Sequence, residues 1–175
     1  IFLARAAEPA PGSIVMVARD SGRALLIELQ ALVDRMRFGA PRRVAQGLDA
    51  NRLAMLLAIL SRHAGVSLQE HDVFANVVGG LTLAETATDL PLVLALASSL
   101  RDRPLPQVLV AFGEVGLTGE VRPVAYGEER LREAAKQGFK VAVVPQGNVP
   151  RKPIEGLAVR GVSRVTEAIA AAEAV

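Results

Sequence analysis

The feature that most restricts the fold is an apolar run at residues 90–97, which leaves a helix no polar face. Thr88 or Asp89 is a suitable N-cap for a helix over residues 88–100, and Pro91 is tolerated in its first turn. The run is roughly ten residues long, too short for a bilayer, which needs about 20. A helix that is apolar all round has to be enclosed by other elements. The sequence therefore predicts a central, buried helix.

Strand and helix patterns alternate on both sides of this helix. Ser21-Gly22 predicts a hairpin turn, Asp49 an N-cap and Gly65 a helix end. The expected strands are 13–17, 24–33, 43–45, 72–78, 107–112, 119–124 and 141–144, and the expected helices are 50–63, 88–100, 128–137 and a last one capped by Ser163. These patterns predict one α/β (α+β) domain over residues 13–175, preceded by an Ala/Pro-rich linker remnant at residues 1–12.

The composition excludes several classes of site. The chain has no cysteine and two histidines, which rules out disulfides and thiolate metal sites and argues against zinc. His71 and Asp72 are adjacent on a predicted strand and point to opposite faces, so they do not form a catalytic pair. There is no signal-peptide pattern, and a chain that begins at Ile1 is expected to be a piece of a longer cytoplasmic protein.

Basic residues are unevenly distributed. Four arginines and no acidic residue lie between Arg35 and Arg43, whereas residues 64–100 contain no Lys or Arg. Binding to a polyanion is therefore expected on one face only. The preference for Arg over Lys also fits a GC-rich or thermophilic source.

Four stretches resemble the RadA/Sms family of bacterial DNA repair proteins in order and spacing. They are 38–43 (Phe-Gly-Ala-Pro-Arg-Arg) with 47–53 (Gly-Leu-Asp-Ala-Asn-Arg-Leu), 72–80 (Asp-Val-Phe-Ala-Asn-Val-Val-Gly-Gly), 88–90 (Thr-Asp-Leu) leading to Ser98-Ser99, and 112–122 (Phe-Gly-Glu-Val-Gly-Leu-Thr-Gly-Glu-Val-Arg) continuing to 130–134 and 138–140. Together they cover nearly the whole chain, and the fourth is the most specific.

The resemblance implies a fold, an assembly and a parent protein. In that family the segment resembles the Lon protease proteolytic domain, a ribosomal protein S5 domain 2-like fold that packs in hexameric rings. The parent is an ATP-dependent branch-migration motor in homologous recombination, with a RecA-like ATPase and a four-cysteine zinc finger. ATP, Mg²⁺ and Zn²⁺ are implied for those domains. No cofactor or metal is expected for this chain, which has neither a phosphate-binding Gly-Lys-Ser/Thr loop nor cysteine.

The same resemblance implies a pseudoprotease. A Lon-type site needs a serine activated by a buried lysine, and aligning this chain with the Lon pattern places Ala87 and Glu128 at those two positions. Thr86 and Thr88 flank the alanine, yet Lys136 and Lys140 lie two to three predicted helical turns from Glu128. We expect no peptidase activity, and an active Ser–Lys peptidase is the least favoured alternative.

Other polar residues have structural explanations. Ser98 and Ser99 are expected to bond back to the preceding turn of their helix. Asp89 is explained by helix capping rather than by a metal site with Glu85. Gly113, Gly116 and Gly119 precede a strand instead of a helix, so they predict tight turns and no phosphate loop.

The arginines predict DNA binding through the phosphate backbone. Guanidinium groups form paired hydrogen bonds with phosphate, and with aromatic residues at 3% of the chain base stacking is not expected. The candidate contacts are Arg35, Arg37, Arg42, Arg43, Arg101, Arg103, Arg122, Arg130, Arg132, Arg151 and Lys152. Expected partners are single-stranded or branched DNA without sequence preference, further copies of the chain in a hexamer, and RecA filaments, with no membrane. Two alternatives stay open: the charges form surface salt bridges, or the domain is a ring scaffold that contacts DNA little.

Overall fold

A seven-stranded mixed sheet organises residues 8–175, which the computed structural model describes. The strands are β1 (Ser13–Asp20), β2 (Arg23–Arg35), β3 (Arg43–Gln46), β4 (His71–Val77), β5 (Leu109–Ala111), β6 (Glu114–Val115), β7 (Val121–Arg122), β8 (Val141–Pro145) and β9 (Ala158–Val162). The helices are α1 (Ala50–Ala64), α2 (Asp89–Arg101), α3 (Gly127–Lys136) and α4 (Val165–Glu173). Short 3₁₀ turns occupy Thr86–Thr88 and Gln146–Asn148.

The strand order is β3-β4-β2-β1-β5-β8-β9, and β6 and β7 form a separate two-stranded ribbon. β2 runs antiparallel to both β1 and β4, and the other neighbours in the large sheet are parallel. The predicted α/β class is therefore confirmed. The finer expectation of a Lon-type domain stays a prediction, as does the domain boundary at residue 12.

Local signals in the sequence located several element ends correctly. Ser21 and Gly22 both have positive φ, as the turn of the β1–β2 hairpin requires. The Asp49 carboxylate accepts a hydrogen bond of 2.9 Å from the backbone N–H of Asn51 and caps α1. Gly65 ends that helix in the left-handed conformation, which glycine adopts without a Cβ clash.

Other element ends differ from the predictions. β9 was not predicted, because Arg160 and Gly161 interrupt its apolar pattern, and it forms by parallel pairing with β8. Ser163 is not the cap of the last helix: Arg164 occupies the N-cap position, without a side-chain cap bond. The strands expected at 107–112 and 119–124 are shorter, since their flanking residues form loops and turns.

Helix α2 is the centre of the molecule, as predicted from its composition. Every residue from Asp89 to Ser98 is buried. It shares one face of the sheet with α1 and α4 in a large apolar cluster. Helix α3 packs on the opposite face over β1 and the first half of β2, in a cluster that also includes residues of β5 and β8. Gly12 also belongs to this fold: its N–H donates to Ser98 Oγ and its carbonyl accepts from Ala31 N. Residues 8–11 of the predicted linker form no helix or strand, and residues 1–7 lie outside the described residues.

The sheet is covered unequally on the α3 side. In the described residues, the apolar cluster beneath α3 includes no residue of β3 or β4. Leu32 of β2 and Val44 of β3 are correspondingly exposed. One half of this sheet face is therefore open. None of the helices within residues 8–175 has the length and apolarity that crossing a bilayer requires.

Candidate functional site

The loop between β2 and β3, residues 36–42, carries the densest group of predicted DNA contacts. A surface depression at this loop is lined by Asp34, Arg35, Arg37, Phe38, Ala40, Arg42 and Asp72. Arg35 forms an exposed ion pair with Glu70 at 3.2 Å, and Arg42 pairs with Asp72 at 3.2 Å. Arg37 is exposed, and in residues 8–175 no carboxylate lies within ion-pair distance of it. The loop therefore offers one unneutralised guanidinium beside two that are already paired.

Arg42 and Arg43 point to opposite sides of the sheet, as adjacent strand residues do. Arg42 lies over the Phe74 ring on the open face, 5.3 Å from its centroid. The Arg43 guanidinium instead donates to the backbone carbonyls of Leu68 and His71. These bonds hold the Arg43 side chain against the segment before β4, which argues against the predicted DNA contact, and that contact stays a prediction.

The carboxylate of Asp72 anchors the start of β3. Its Oδ1 accepts from the backbone N–H of Arg42 at 2.8 Å, and its Oδ2 accepts from the Arg42 guanidinium. The backbone hydrogen bond from Arg42, helped by that guanidinium, lowers the pKa of Asp72. The carboxylate is therefore ionised at neutral pH and holds Arg42 over the sheet.

Arg130 is not a surface residue, and the prediction that it binds DNA is wrong. The residue is 3% exposed. Its guanidinium donates to the carbonyls of Val17 at 2.9 Å and Ala125 at 3.0 Å and to Glu85 Oε1 at 2.7 Å. The N–H groups that donate to these three acceptors are not available to a phosphate. Arg130 connects α3 to β1 and to the segment before α2.

The remaining basic candidates are exposed, and they fall into two groups. One group has a carboxylate partner: Arg101 and Arg103 both reach Glu173, and Arg132 pairs with Glu128. The other group is Arg122, Arg151 and Lys152, exposed residues with no ion pair in the described part of the chain. Asn148 bonds to the backbone of Val124, so the Arg122 strand and the 146–152 loop are neighbours. They form a second candidate patch.

The two positions that the resemblance marks as a lost peptidase site lie in different environments. Ala87 is buried in the turn before α2, and its carbonyl accepts from Gly113 N. Glu128 is exposed and faces Arg132 along α3. The chain's lysines, Lys136, Lys140 and Lys152, are all exposed. No lysine is therefore held beside a buried hydroxyl.

Three structural interpretations also need correction. Asp89 does not cap α2: its carboxylate accepts from the Arg52 guanidinium and from Val115 N at 3.0 Å. This hydrogen-bonded carboxylate raises the pKa of Arg52. Ser98 and Ser99 do not bond back to their own helix. Ser98 Oγ donates to the Arg103 carbonyl, and Ser99 Oγ accepts from Val33 N at 2.9 Å.

The sequence interpretation missed two residues of consequence. Arg52 was not considered, although it lies in a motif that carried the resemblance, because the partner that explains it is distant in sequence. Phe38 was noted only as part of a turn. The position of Phe38 between Arg37 and Arg42 is the sequence feature that indicates a role for it in binding. Within residues 8–175, no three His, Cys, Asp or Glu side chains are arranged to hold a metal ion.

A family model described as subunit ChlI of Mg-chelatase matches residues 51–148, more than half of the chain. The chain belongs to that family. The family is named after a magnesium-chelatase subunit, and that name describes the subunit rather than this chain.

Curated relatives named DNA repair protein RadA match almost the entire chain. The identity is 58% over 169 residues with the protein of Salmonella typhimurium, 57% over 169 residues with that of Escherichia coli and 43% over 171 residues with that of Bacillus subtilis. Each alignment covers 97% of this chain and 37% of the relative. The resemblance to RadA/Sms proteins is therefore confirmed, and the chain spans little more than a third of the length of these relatives.

Proposed function

We propose that this chain is a DNA-binding and ring-forming domain of a RadA-type DNA repair protein, and that it has no peptidase activity. The observation that carries the DNA-binding part is the exposed basic loop at residues 36–42. Arg37 projects there without a carboxylate partner in the described residues, beside Arg35 and Arg42. The names of the relatives supply the biological setting.

The proposed mode of binding is electrostatic. Arginine side chains neutralise phosphates and release condensed counterions, so affinity depends steeply on salt and little on base sequence. Arg35 and Arg42 already pair with Glu70 and Asp72, so their phosphate contacts have to displace weak surface ion pairs, whereas Arg37 has no such pair in the described residues. Arg122, Arg151 and Lys152 extend the contact in the proposal, and Arg130 and Arg43 do not take part.

The parent protein in this proposal is an ATP-driven branch-migration motor. ATP, Mg²⁺ and Zn²⁺ are bound by its other domains, and this chain takes no cofactor of its own. Copies of the chain pack side by side in a hexameric ring around DNA, and RecA filaments are the further partner. Each of these statements rests on the resemblance to the RadA/Sms family.

A salt titration with matched charge variants tests the DNA-binding proposal. Fluorescence anisotropy with a labelled single strand compares wild type with Arg37→Ala/Arg42→Ala and with Arg62→Ala/Lys136→Ala, a control pair that is exposed elsewhere. The slope of log K against log salt should fall by about 1.4 in the first variant, since each single-strand phosphate contact contributes about 0.7. The control should keep the wild-type slope. Equal slopes in all three proteins would remove the loop from the interface.

A ring scaffold with little DNA contact is the second candidate. Leu117, an exposed apolar residue on the β6–β7 turn, favours it because such a side chain gains by being covered. Light scattering with and without DNA separates the two candidates. Assemblies that form without DNA affinity support the scaffold, and binding by a monomer supports the DNA-binding role.

The absence of peptidase activity has an independent basis. A buried methyl group at Ala87 cannot attack a carbonyl, and the exposed lysines have no contact with a buried hydroxyl. Neither casein cleavage nor acylation by a serine-directed probe is expected. Stoichiometric acylation of Thr86 or Thr88 would contradict this part of the proposal.

A further inference from the structure

The open half of the sheet carries three ordered rows of side chains. Strand register places Leu32, Phe74 and Val44 side by side across β2, β4 and β3. The next row on the same face is Gln30, Asn76 and Gln46. The row at the other end is Asp34 and Asp72, with Arg42 just before β3. An apolar row therefore lies between a row of amides and a charged edge.

The apolar row is accessible in spite of its composition. Leu32 is 58% exposed, and Val44 is also exposed. Phe74 lies between them, with the Arg42 guanidinium over its ring. In residues 8–175, the apolar cluster under α3 includes Leu26 near the start of β2 but no residue of β3 or β4. A flat apolar surface of this kind, with polar groups on both sides, is a binding surface for a planar apolar ligand group.

Phe38 extends this surface at its charged edge. It is 88% exposed and shares one depression with Arg37, Arg42 and Asp34. An aromatic ring left in water among arginines suits a ligand that combines flat rings with negative charge. The low aromatic content predicted no base stacking, but a count of aromatic residues does not reveal that one of them is unburied beside the basic loop.

The charges decide how such a ligand lies. Asp34 and Asp72 lie in the charged row beside the apolar row, and Asp72 is already paired with Arg42, so the Asp34 carboxylate disfavours a phosphate directly above this row. Arg35 and Arg37 are at the rim. Phosphates therefore favour the rim, while bases cover the apolar row and reach the amides of Gln30, Asn76 and Gln46. Amide side chains offer both a donor and an acceptor to base edges.

We propose that the open β3-β4-β2 face, together with Phe38, binds the unpaired bases of a single nucleic-acid strand. This inference rests on the proposed DNA-binding function and names the part of the nucleic acid that the site selects. A duplex keeps its bases stacked inside, so it offers the face only its phosphates. Sheet surfaces with exposed aromatic side chains bind single strands by base stacking. The face is therefore selective for single-stranded over double-stranded nucleic acid.

The test separates stacking from phosphate contact. Wild type, Phe38→Ala and Leu32→Glu are titrated with a labelled oligothymidine and with a duplex of equal length, and Val108→Glu is the control for an exposed aliphatic side chain elsewhere. Phe38→Ala should lose roughly fivefold to a hundredfold affinity for the single strand, the range that base–aromatic stacking gives. Duplex affinity and the salt slope should be unchanged, because no charge is removed. Leu32→Glu should lose more single-strand affinity, and Val108→Glu should match wild type.

A spectroscopic readout and an assembly measurement complete the design. A strand containing 2-aminopurine should be quenched on binding to wild type and remain bright with Phe38→Ala. Unchanged single-strand affinity in Phe38→Ala, with loss in Arg37→Ala/Arg42→Ala, would overturn the stacking proposal and leave the DNA-binding function standing. Absence of single-strand binding by wild type would overturn both. Loss of self-assembly in Leu32→Glu with unchanged DNA affinity would make the face a contact between copies and overturn the proposal.

Discussion

Replacing Arg130 with methionine should destabilise the fold by about 3 kcal/mol. The variant keeps apolar contact near Phe112, whose ring lies 5.6 Å from the guanidinium. It removes three hydrogen bonds, those to Glu85, Val17 and Ala125. Breaking one side of a buried ion pair costs about 3–5 kcal/mol. We take the lower end, because the Glu85 side chain is 24% exposed and water can reach it.

Arg132→Met is the matched control for this variant. Arg132 lies on the same helix, is exposed, and pairs only with Glu128 in an i,i+4 contact worth about 0.3–0.5 kcal/mol. Urea unfolding at neutral pH measures both variants. The expected loss in Arg130→Met corresponds to a fall in Tm of roughly 6–12 °C for a chain of this size.

A double variant tests whether the pair is the cause. Glu85→Gln keeps an oxygen for the backbone N–H of Arg19, which Glu85 Oε2 accepts at 2.7 Å, and removes the charge left by Arg130→Met. The combined variant should therefore lose less stability than the sum of the single ones. The structural role of Arg130 would be refuted if Arg130→Met had a free energy of unfolding within 1 kcal/mol of wild type. If that variant had also lost DNA affinity, Arg130 would belong to the DNA interface.

Three further outcomes follow from the structure. Asp89→Ala should cost about 3 kcal/mol in urea unfolding, the lower end of the range for a broken buried pair, because the Arg52 side chain that loses its carboxylate is 29% exposed; a loss under 1 kcal/mol would contradict this. Asp49→Ala should cost about 1 kcal/mol through the lost helix cap, and Asp49→Ser should recover most of it. The backbone hydrogen bond from Arg42, helped by its guanidinium, lowers the folded-state pKa of Asp72. These contacts therefore stabilise the protein at pH values above the ordinary carboxyl pKa of about 4, and the contribution is lost as the pH falls through the folded pKa. Asp72→Asn should flatten that part of the stability–pH curve, and an unchanged curve would contradict the assignment.

Local chemistry explains why many elements could be predicted. The cap at Asp49, the left-handed end at Gly65 and the Ser21-Gly22 turn each depend on residues close in sequence. The burial of α2 was predictable because no rotation of that helix presents a polar face. The strand β9 was not, because its pairing with β8 stabilises a stretch whose own pattern is weak.

The candidate interface also combines features that follow from the sequence with features that follow only from the packed structure. The concentration of arginines around residues 35–43 follows from the order of residues alone. The assignment of Ala87 and Glu128 to the serine and lysine positions of the Lon pattern comes from the family resemblance and stays a prediction. Arg130 and Arg132 are alike in sequence terms, yet the first is enclosed by carbonyls from β1 and the loop before α3, and the second lies in water. Arg42 and Arg43 differ because the pleat of β3 sends one to the open face and the other to backbone carbonyls. Burial and hydrogen-bond partners depend on segments far apart in the chain, so only the packed structure decides which of these charges is free to meet a ligand.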